Sequence, residues 1–115
     1  MKRVTVIAPI IALFAALPLA AAAAAPEKAA ACAACHGEGG AKPILPEYPV
    51  LAGQYASYLE HSLREYRSGA RKNAIMAAQA AALSDADIEA LSRYFASQPG
   101  PLYTPGIGAS HAPAP

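Results

Sequence analysis

Residues 32–36 read Cys-Ala-Ala-Cys-His, and the rest of the chain is best interpreted from this stretch. Two thiols three positions apart, followed directly by an imidazole, are typical of a c-type haem attachment site. The sulfurs of Cys32 and Cys35 can each form a thioether to one haem vinyl group, which holds His36 beneath the porphyrin as an iron ligand. The motif therefore predicts one covalently bound haem c per chain.

Paired cysteines also serve other chemistries. A redox dithiol is expected beside alternating strands and helices, which this sequence does not show, and a disulfide closing so short a loop would constrain little of the unfolded chain. A structural zinc site needs four ligands. Cys32, Cys35 and His36 offer three, and the other histidines, His61 and His111, lie far away in the sequence. Haem attachment is favoured over these alternatives.

The N-terminus has the outline of a secretory signal peptide. Lys2 and Arg3 precede an apolar run over residues 4–19, and the alanines that follow offer several Ala-x-Ala cleavage sites. The competing interpretation is an uncleaved membrane anchor, because the uncharged stretch is long enough to span a bilayer. Two prolines and the weakly apolar alanine end favour cleavage. We therefore predict a signal peptide over residues 1–25 and a periplasmic protein, with membrane association only if the leader stays uncleaved.

The charge and the length of the chain without its leader exclude some classes of function. Without Lys2 and Arg3 the chain has seven basic and eight acidic residues, a formal charge of −1, and two ionised haem propionates would make it −3. This mildly acidic balance argues against nucleic-acid binding. The remaining chain of about 90 residues makes one small domain with limited capacity to bury a core. Such domains usually need an additional stabilising element, which a bound haem supplies.

Helical signals lie on both sides of the motif. The alanine-rich segment 27–35 follows a proline and predicts a first helix that runs into the motif. Glycines and prolines over residues 37–53 predict a turn-rich loop. A second helix is predicted over residues 54–68, and Gly69 ends it.

The sequence after the second predicted helix gives weaker signals of secondary structure. Residues 77–83 are alanine-rich and predict a short helical turn. The sequence Ser84-Asp85-Ala86-Asp87 resembles a capping box at the start of a last helix, which runs to about Gln98. Residues 99–115 are rich in Pro, Ala and Gly and predict a flexible tail. The expected fold class is all-α, with three to four helices packed around the haem.

Two apolar features bear on the haem. The second helix repeats apolar residues at helical spacing on one face, which are Tyr55, Tyr58, Leu59, Leu63 and Tyr66. Ordinary core packing explains such a face, and in a haem protein the core lies on or near the porphyrin.

Met76 is the one methionine after the leader. A lone methionine is often only apolar filler, but a haem with one histidine ligand needs a group on its other face. We therefore predict Met76 as the sixth ligand, ahead of His61 and His111.

From about residue 27 to residue 98 the chain resembles the class I monohaem c-type cytochromes of bacterial periplasms, and also one half of the related dihaem cytochromes. The resemblance rests on Cys-Ala-Ala-Cys-His-Gly at 32–37, Pro-Val-Leu-Ala-Gly-Gln at 49–54, Tyr-Leu at 58–59, Ser-Gly-Ala-Arg-Lys-Asn at 68–73, Met76, and Leu-Ser-Asp-Ala-Asp-Ile at 83–88 with Tyr94-Phe95. It implies a small class I cytochrome c fold, with the cytochrome c domain at residues 26–98.

The resemblance also implies roles for individual residues. Cys32 and Cys35 carry the thioethers, and His36 and Met76 are the proximal and distal iron ligands. The carbonyl of Pro49 accepts a hydrogen bond from the other nitrogen of the ligating histidine, which orients the ring. Tyr58 and Leu59 are expected to contact the haem. Relatives often have proline where Ala74 stands, which predicts a looser ligand loop here, and some have a second methionine where Gln79 stands.

These features predict an electron carrier and not an enzyme, because such a protein transforms no substrate. Histidine and methionine ligation in an apolar pocket raises the reduction potential, so we expect a positive midpoint. The favoured function is a diffusible carrier between a quinol-oxidising complex and a terminal oxidase or reductase. A dedicated electron-accepting subunit of a periplasmic dehydrogenase is the first alternative. A haem sensor or enzyme with open iron is less favoured, since it needs Met76 to be absent or labile.

Overall fold

The computed structural model describes residues 24–105 of the 115-residue chain. Within that range every regular element is helical. The elements are α1 (Ala29–His36), a 3-10 turn (Glu38–Gly40), α2 (Ala56–Ser68), α3 (Ala74–Ala81) and α4 (Asp85–Ser97). The all-α prediction is confirmed. Almost all of the predicted signal peptide, together with His111, lies outside the described residues.

Helix α1 ends at the attachment motif because of the glycine that follows it. Gly37 has a φ of +82°, and a Cβ atom there would lie 2.0 Å from the carbonyl oxygen of Lys42. Only glycine fits this turn. The helix begins at Ala29, two residues later than predicted, and Lys28 at its start makes no side-chain cap. The chain therefore turns sharply after His36, at the last residue of the helix.

Helix α2 is the central element of the packing. It contacts both α3 and α4, and its buried Leu59 joins a core cluster with Ala29 of α1 and with Leu91 and Phe95 of α4. It begins two residues later than predicted and ends as predicted at Gly69, which has the left-handed conformation of a helix C-terminus. Burial of these apolar side chains holds the three helices together.

The start of α4 has the capping box that the sequence predicted, and it also has an ion pair with Lys28 that the sequence did not indicate. The Ser84 hydroxyl accepts from the backbone N–H of Asp87, and the Asp87 carboxylate accepts from the backbone N–H of Ser84, which completes the predicted capping box. The Lys28 ammonium lies 2.6 Å from the same carboxylate and donates to the carbonyl of Ala82. Lys28 and Ser84 lower the pKa of Asp87 to about 2, so this link between α1 and α4 is ionised at neutral pH.

The region around Met76 differs from the prediction. Residues 74–81 form a complete helix, α3, whereas the sequence predicted a loop followed by a short turn at 77–83. Asn73 caps this helix, because its side-chain oxygen accepts from the backbone N–H of Met76 at 2.9 Å. Ala74 is the first helical residue, a position that suits proline and alanine alike. The expected ligand loop is therefore a capped helix, and the effect of Ala74 on its mobility stays a prediction.

The loop after α1 is held by the carbonyl of one glycine. Gly40 accepts hydrogen bonds from the backbone N–H groups of Leu51 and Ala52 at 2.8 and 3.0 Å. The N–H of Gly53 donates to the carbonyl of Phe95 at 3.1 Å. These bonds close the predicted loop on itself and fix it to α4, and Ala52 is completely buried within it.

The first residues of the predicted tail pack onto this loop. The Thr104 hydroxyl donates to the carbonyl of Gly53 at 2.7 Å, and the Tyr55 hydroxyl donates to the carbonyl of Pro105. Up to residue 105 the segment is therefore held against the start of α2, in contrast to the flexible tail expected over 99–115. The division of the chain into leader, domain and tail stays a prediction.

Membrane crossing requires a long apolar helix. Over residues 24–105 none of the helices has both the length and the apolar character to span a bilayer.

A pair of glycine substitutions tests how tightly the loop is packed. A Cβ at Gly40 (φ +72°) would lie 2.8 Å from Leu51 Cβ and 2.9 Å from Phe95 Cδ1, whereas at Gly69 (φ +81°) the nearest atom is 4.0 Å away. We expect Gly69→Ala to lower the free energy of unfolding by about 1 kcal/mol through backbone strain alone. Gly40→Ala adds overpacking and should cost about 2–4 kcal/mol. Denaturant unfolding followed by circular dichroism measures both, and equal losses would contradict the packing described.

Candidate haem site

All seven site residues predicted from the sequence line one cavity. Its volume is about 460 Å³, and it lies between α1, the loop after it, α2, α3 and α4. The seven are Cys32, Cys35, His36, Pro49, Tyr58, Leu59 and Met76. The chain thus brings together residues that are up to 44 positions apart in the sequence.

The two cysteines reach the cavity from one face of α1. Residues three apart lie on the same side of a helix, and both thiols are free in the described structure. The Cys32 thiol lies 3.7 Å from the carbonyl of Lys28. Burial raises the pKa of this thiol.

His36 is buried and its ring is oriented by the loop. Its Nδ1 lies 2.8 Å from the carbonyl oxygen of Pro49, the contact that the resemblance implies. A carbonyl only accepts hydrogen bonds, so Nδ1 carries the proton and Nε2 keeps its lone pair. This tautomer leaves Nε2 free to ligate a metal. The Tyr48 ring lies 6.2 Å from the imidazole, centroid to centroid, and forms part of the same wall.

Met76 approaches the cavity from the first turn of α3, and Gln79 lies one turn further along the same wall. The rival ligand His61 is elsewhere. Its side chain is 72% exposed and pairs with Glu65 at 3.2 Å across one turn of α2, and it does not line the cavity. His111 lies outside the described residues. Among the described residues outside the attachment motif, Met76 is therefore the one whose side chain offers a soft sulfur ligand.

The α2 wall agrees with the predicted apolar face only in part. Leu59 is buried and Tyr58 lines the cavity although its residue is 48% exposed. Tyr55 instead turns to the carbonyl of Pro105. The same wall includes polar residues that the sequence analysis did not single out, Ser62 and Arg71. In the sequence Arg71 stands out only as part of the motif at 68–73, whereas the four-residue spacing between Tyr58 and Ser62 is a signal that places the serine on the same face of α2.

The cavity suits a large, mostly apolar cofactor. Much of its wall is aliphatic or aromatic, with Leu51, Leu63, Leu91 and Phe95 beside the residues already named. The hydroxyl of Ser92, on the same wall, is buried without a hydrogen-bond partner, as expected for a wall that faces a group other than protein. Two thiols, an imidazole with a free Nε2 and a thioether form the donor set of a covalently bound haem. The residues therefore fit this cofactor.

In the part of the chain from residue 24 to residue 105, no group of three or more His, Cys, Asp and Glu side chains is arranged to hold a metal ion.

Comparison with known proteins agrees with this geometry. A family model described as cytochrome c matches residues 20–99. The chain is 44% identical over 109 residues to a thiosulfate dehydrogenase electron acceptor of Thiomonas intermedia, a match that covers 90% of this chain and 50% of that protein. It is 46% identical over 80 residues to cytochrome c-554(548) of Halomonas halodenitrificans, which covers 67% of this chain and 95% of that protein.

A third relative is cytochrome c4 of Pseudomonas aeruginosa, 43% identical over 77 residues that make up 67% of this chain and 38% of that protein. The chain thus spans half or less of the Thiomonas and Pseudomonas proteins and nearly all of the Halomonas cytochrome. The family match includes every residue of the cavity wall.

Proposed function

The chain belongs to the cytochrome c family, and on that basis we propose which of its residues hold the haem and where it carries electrons. Members of this family bind haem c covalently, and the protein is an electron carrier. The bound haem supplies a single iron that changes between the ferric and ferrous states. The residues of the chain attach, ligate and enclose that group.

Cys32 and Cys35 hold the cofactor through thioether bonds, and His36 ligates it on the proximal side. The observation that carries this assignment is the hydrogen bond from His36 Nδ1 to the Pro49 carbonyl at 2.8 Å, together with the shared cavity. The bond fixes the imidazole tautomer and leaves Nε2 as the ligating atom. Pro49 is therefore a positioning residue. It acts on the iron through the ring of His36.

Met76 is the distal ligand. Its support is its place on the cavity wall and the Asn73 cap, which fixes the start of α3 within three residues of the sulfur. Tyr58 and Leu59 contribute to the α2 wall. A thioether ligand and an apolar enclosure both favour the ferrous state, so the reduction potential should be positive. No step in this function requires an acid, a base or a nucleophile, and the protein transforms no substrate itself.

The protein works in the periplasm as a diffusible carrier, delivered there by the signal peptide predicted over residues 1–25. Its partners are redox proteins. On the donor side we propose a quinol-oxidising complex, and on the acceptor side a terminal oxidase or reductase. The mildly acidic surface, with seven basic and eight acidic residues after Arg3, does not suit nucleic acid.

A second candidate function is favoured by the names of two relatives. Proteins of Thiomonas intermedia and Stutzerimonas stutzeri, both similar to this chain, are named thiosulfate dehydrogenase electron acceptor. This chain covers 50% and 38% of their lengths. The alternative is therefore a dedicated electron-accepting subunit of a periplasmic dehydrogenase, with the same haem site.

Replacement of Met76 tests the ligand assignment. In Met76→Ala the iron loses its sulfur ligand, so the midpoint potential should fall, the weak far-red band of sulfur-ligated ferric iron should disappear, and added carbon monoxide should bind. Ile75→Ala is the matched control, because it shortens a neighbouring side chain on the same wall without removing sulfur. It should keep the band. If Met76→Ala keeps the parent spectrum and potential, Met76 is not the ligand.

Size-exclusion chromatography of a native periplasmic extract distinguishes the two functions. With detection at the haem absorption, a diffusible carrier is expected to elute alone at the size of the mature chain. Co-elution with an enzyme that reduces it would instead identify a dedicated subunit. Recovery of the haem protein in the membrane pellet as the full-length chain would contradict the cleaved leader.

A further inference from the structure

Tyr48 lies beside the proximal ligand and has no role in the function proposed above. The centroid of its ring lies 6.2 Å from that of the His36 imidazole, with 50° between the two planes, and the residue lines the haem cavity. Aromatic rings at this separation attract each other. Within residues 24–105 no other aromatic ring is paired with this imidazole.

The backbone around Tyr48 is restricted by prolines on both sides. The N–H of Tyr48 donates to the carbonyl of Leu45 at 3.1 Å, which closes a four-residue turn with Pro46 at its second position, where proline is favoured. Pro49 follows directly, and a residue that precedes a proline is restricted to extended conformations. The ring is therefore presented to the imidazole by a backbone with little conformational freedom.

The segment that carries this ring is also tied to the attachment motif. The N–H of Ile44 donates to the carbonyl of Cys35, the residue before the ligand, at 3.0 Å. At the other end of the segment, the carbonyl of Pro49 accepts from His36 Nδ1 at 2.8 Å. The segment therefore connects the end of α1 to the ligating ring, and Tyr48 lies between its two anchors.

The hydrogen bond that orients His36 lies at the boundary between the interior and the solvent. His36 is 6% exposed, whereas Pro49 is an exposed residue of the loop, and the bond between them is only partly buried. A hydrogen bond is stronger where water is excluded. Tyr48 is half-buried, as expected of a side chain that covers such a bond and also meets solvent.

We propose that Tyr48 is a positioning residue for the proximal ligand, whose ring covers the hydrogen bond between His36 and Pro49 and keeps water from it. The inference rests on the proposed function, because it concerns His36 as an iron ligand. The ring acts by packing against the imidazole. It limits rotation of the imidazole and preserves the bond that keeps the proton on Nδ1, which leaves Nε2 as the ligating atom.

The test is the exchange of the His36 Nδ1 proton with solvent, measured by NMR on the haem-loaded protein in the diamagnetic ferrous state. Exchange requires water to reach the hydrogen bond. We expect Tyr48→Ala to accelerate exchange about tenfold or more, while Tyr48→Phe, which keeps the ring, should exchange at the parent rate. Tyr55→Ala is the control, because it removes the same side chain from a position outside the cavity, and it should leave the rate unchanged.

The haem methyl resonances of the ferric protein give a second measurement, since their spread depends on the orientation of the axial imidazole. Tyr48→Ala should change that spread, whereas Tyr48→Phe and Tyr55→Ala should keep the parent pattern. If Tyr48→Ala fails to retain haem, Tyr48→Leu replaces it in both measurements. Leucine keeps apolar bulk without a flat ring, so the same changes are expected at a smaller size, and parent values in Tyr48→Leu would overturn the inference.

The outcomes separate this inference from the proposed function. If the parent binds haem covalently and Tyr48→Ala exchanges at the parent rate, the covering role of the ring is overturned while the cytochrome function stands. Equal acceleration in Tyr48→Phe would also overturn it, since the ring alone would then be insufficient. Acceleration of the same size in Tyr55→Ala would assign the effect to general loosening of the fold and overturn it too. Failure of the parent itself to bind haem would overturn the proposed function and this inference together.

Discussion

The hydrogen bond from His36 Nδ1 to the carbonyl of Pro49 joins the last residue of α1 to a loop thirteen residues later. Gly37 makes the bond possible by ending the helix with a positive φ. Gly40 helps to hold the loop that contains Pro49, because its carbonyl accepts hydrogen bonds from the N–H groups of residues 51 and 52. Together these contacts fix a buried imidazole in one tautomer. The function proposed for the chain depends on that orientation more than on any other single contact.

The parts of the fold and site that the sequence predicted are those with a local cause. The motif at 32–36 acts through the spacing of residues on one helix, the end of α2 follows from Gly69, and the start of α4 follows from the Ser84 capping box. Each depends on residues within four positions of one another. Pro49 was assigned through resemblance and not through a local pattern, and the structure places its carbonyl where that resemblance implies.

The parts that the sequence did not predict depend on contacts between distant residues. The start of α3 was predicted three residues too late, because its alanine-rich composition has high helix propensity but little amphipathic pattern and the sequence alone did not identify Asn73 as its cap. Tyr55 lies apart from the apolar face because its hydroxyl reaches Pro105, fifty positions away. Arg71 reaches Ser62 and Tyr66 only because the chain turns back after Gly69. No local window of sequence contains these pairings.

The measurement that tests the account most directly is acid-solvent extraction of protein matured in a host with the c-type haem attachment machinery, followed by the visible spectrum of the denatured polypeptide. The account predicts that the haem stays with the polypeptide, and that it is lost when Cys32 and Cys35 are both replaced by alanine. Haem that is extracted from the parent chain, or that never binds to it, would contradict covalent attachment and return the two cysteines to the dithiol interpretation.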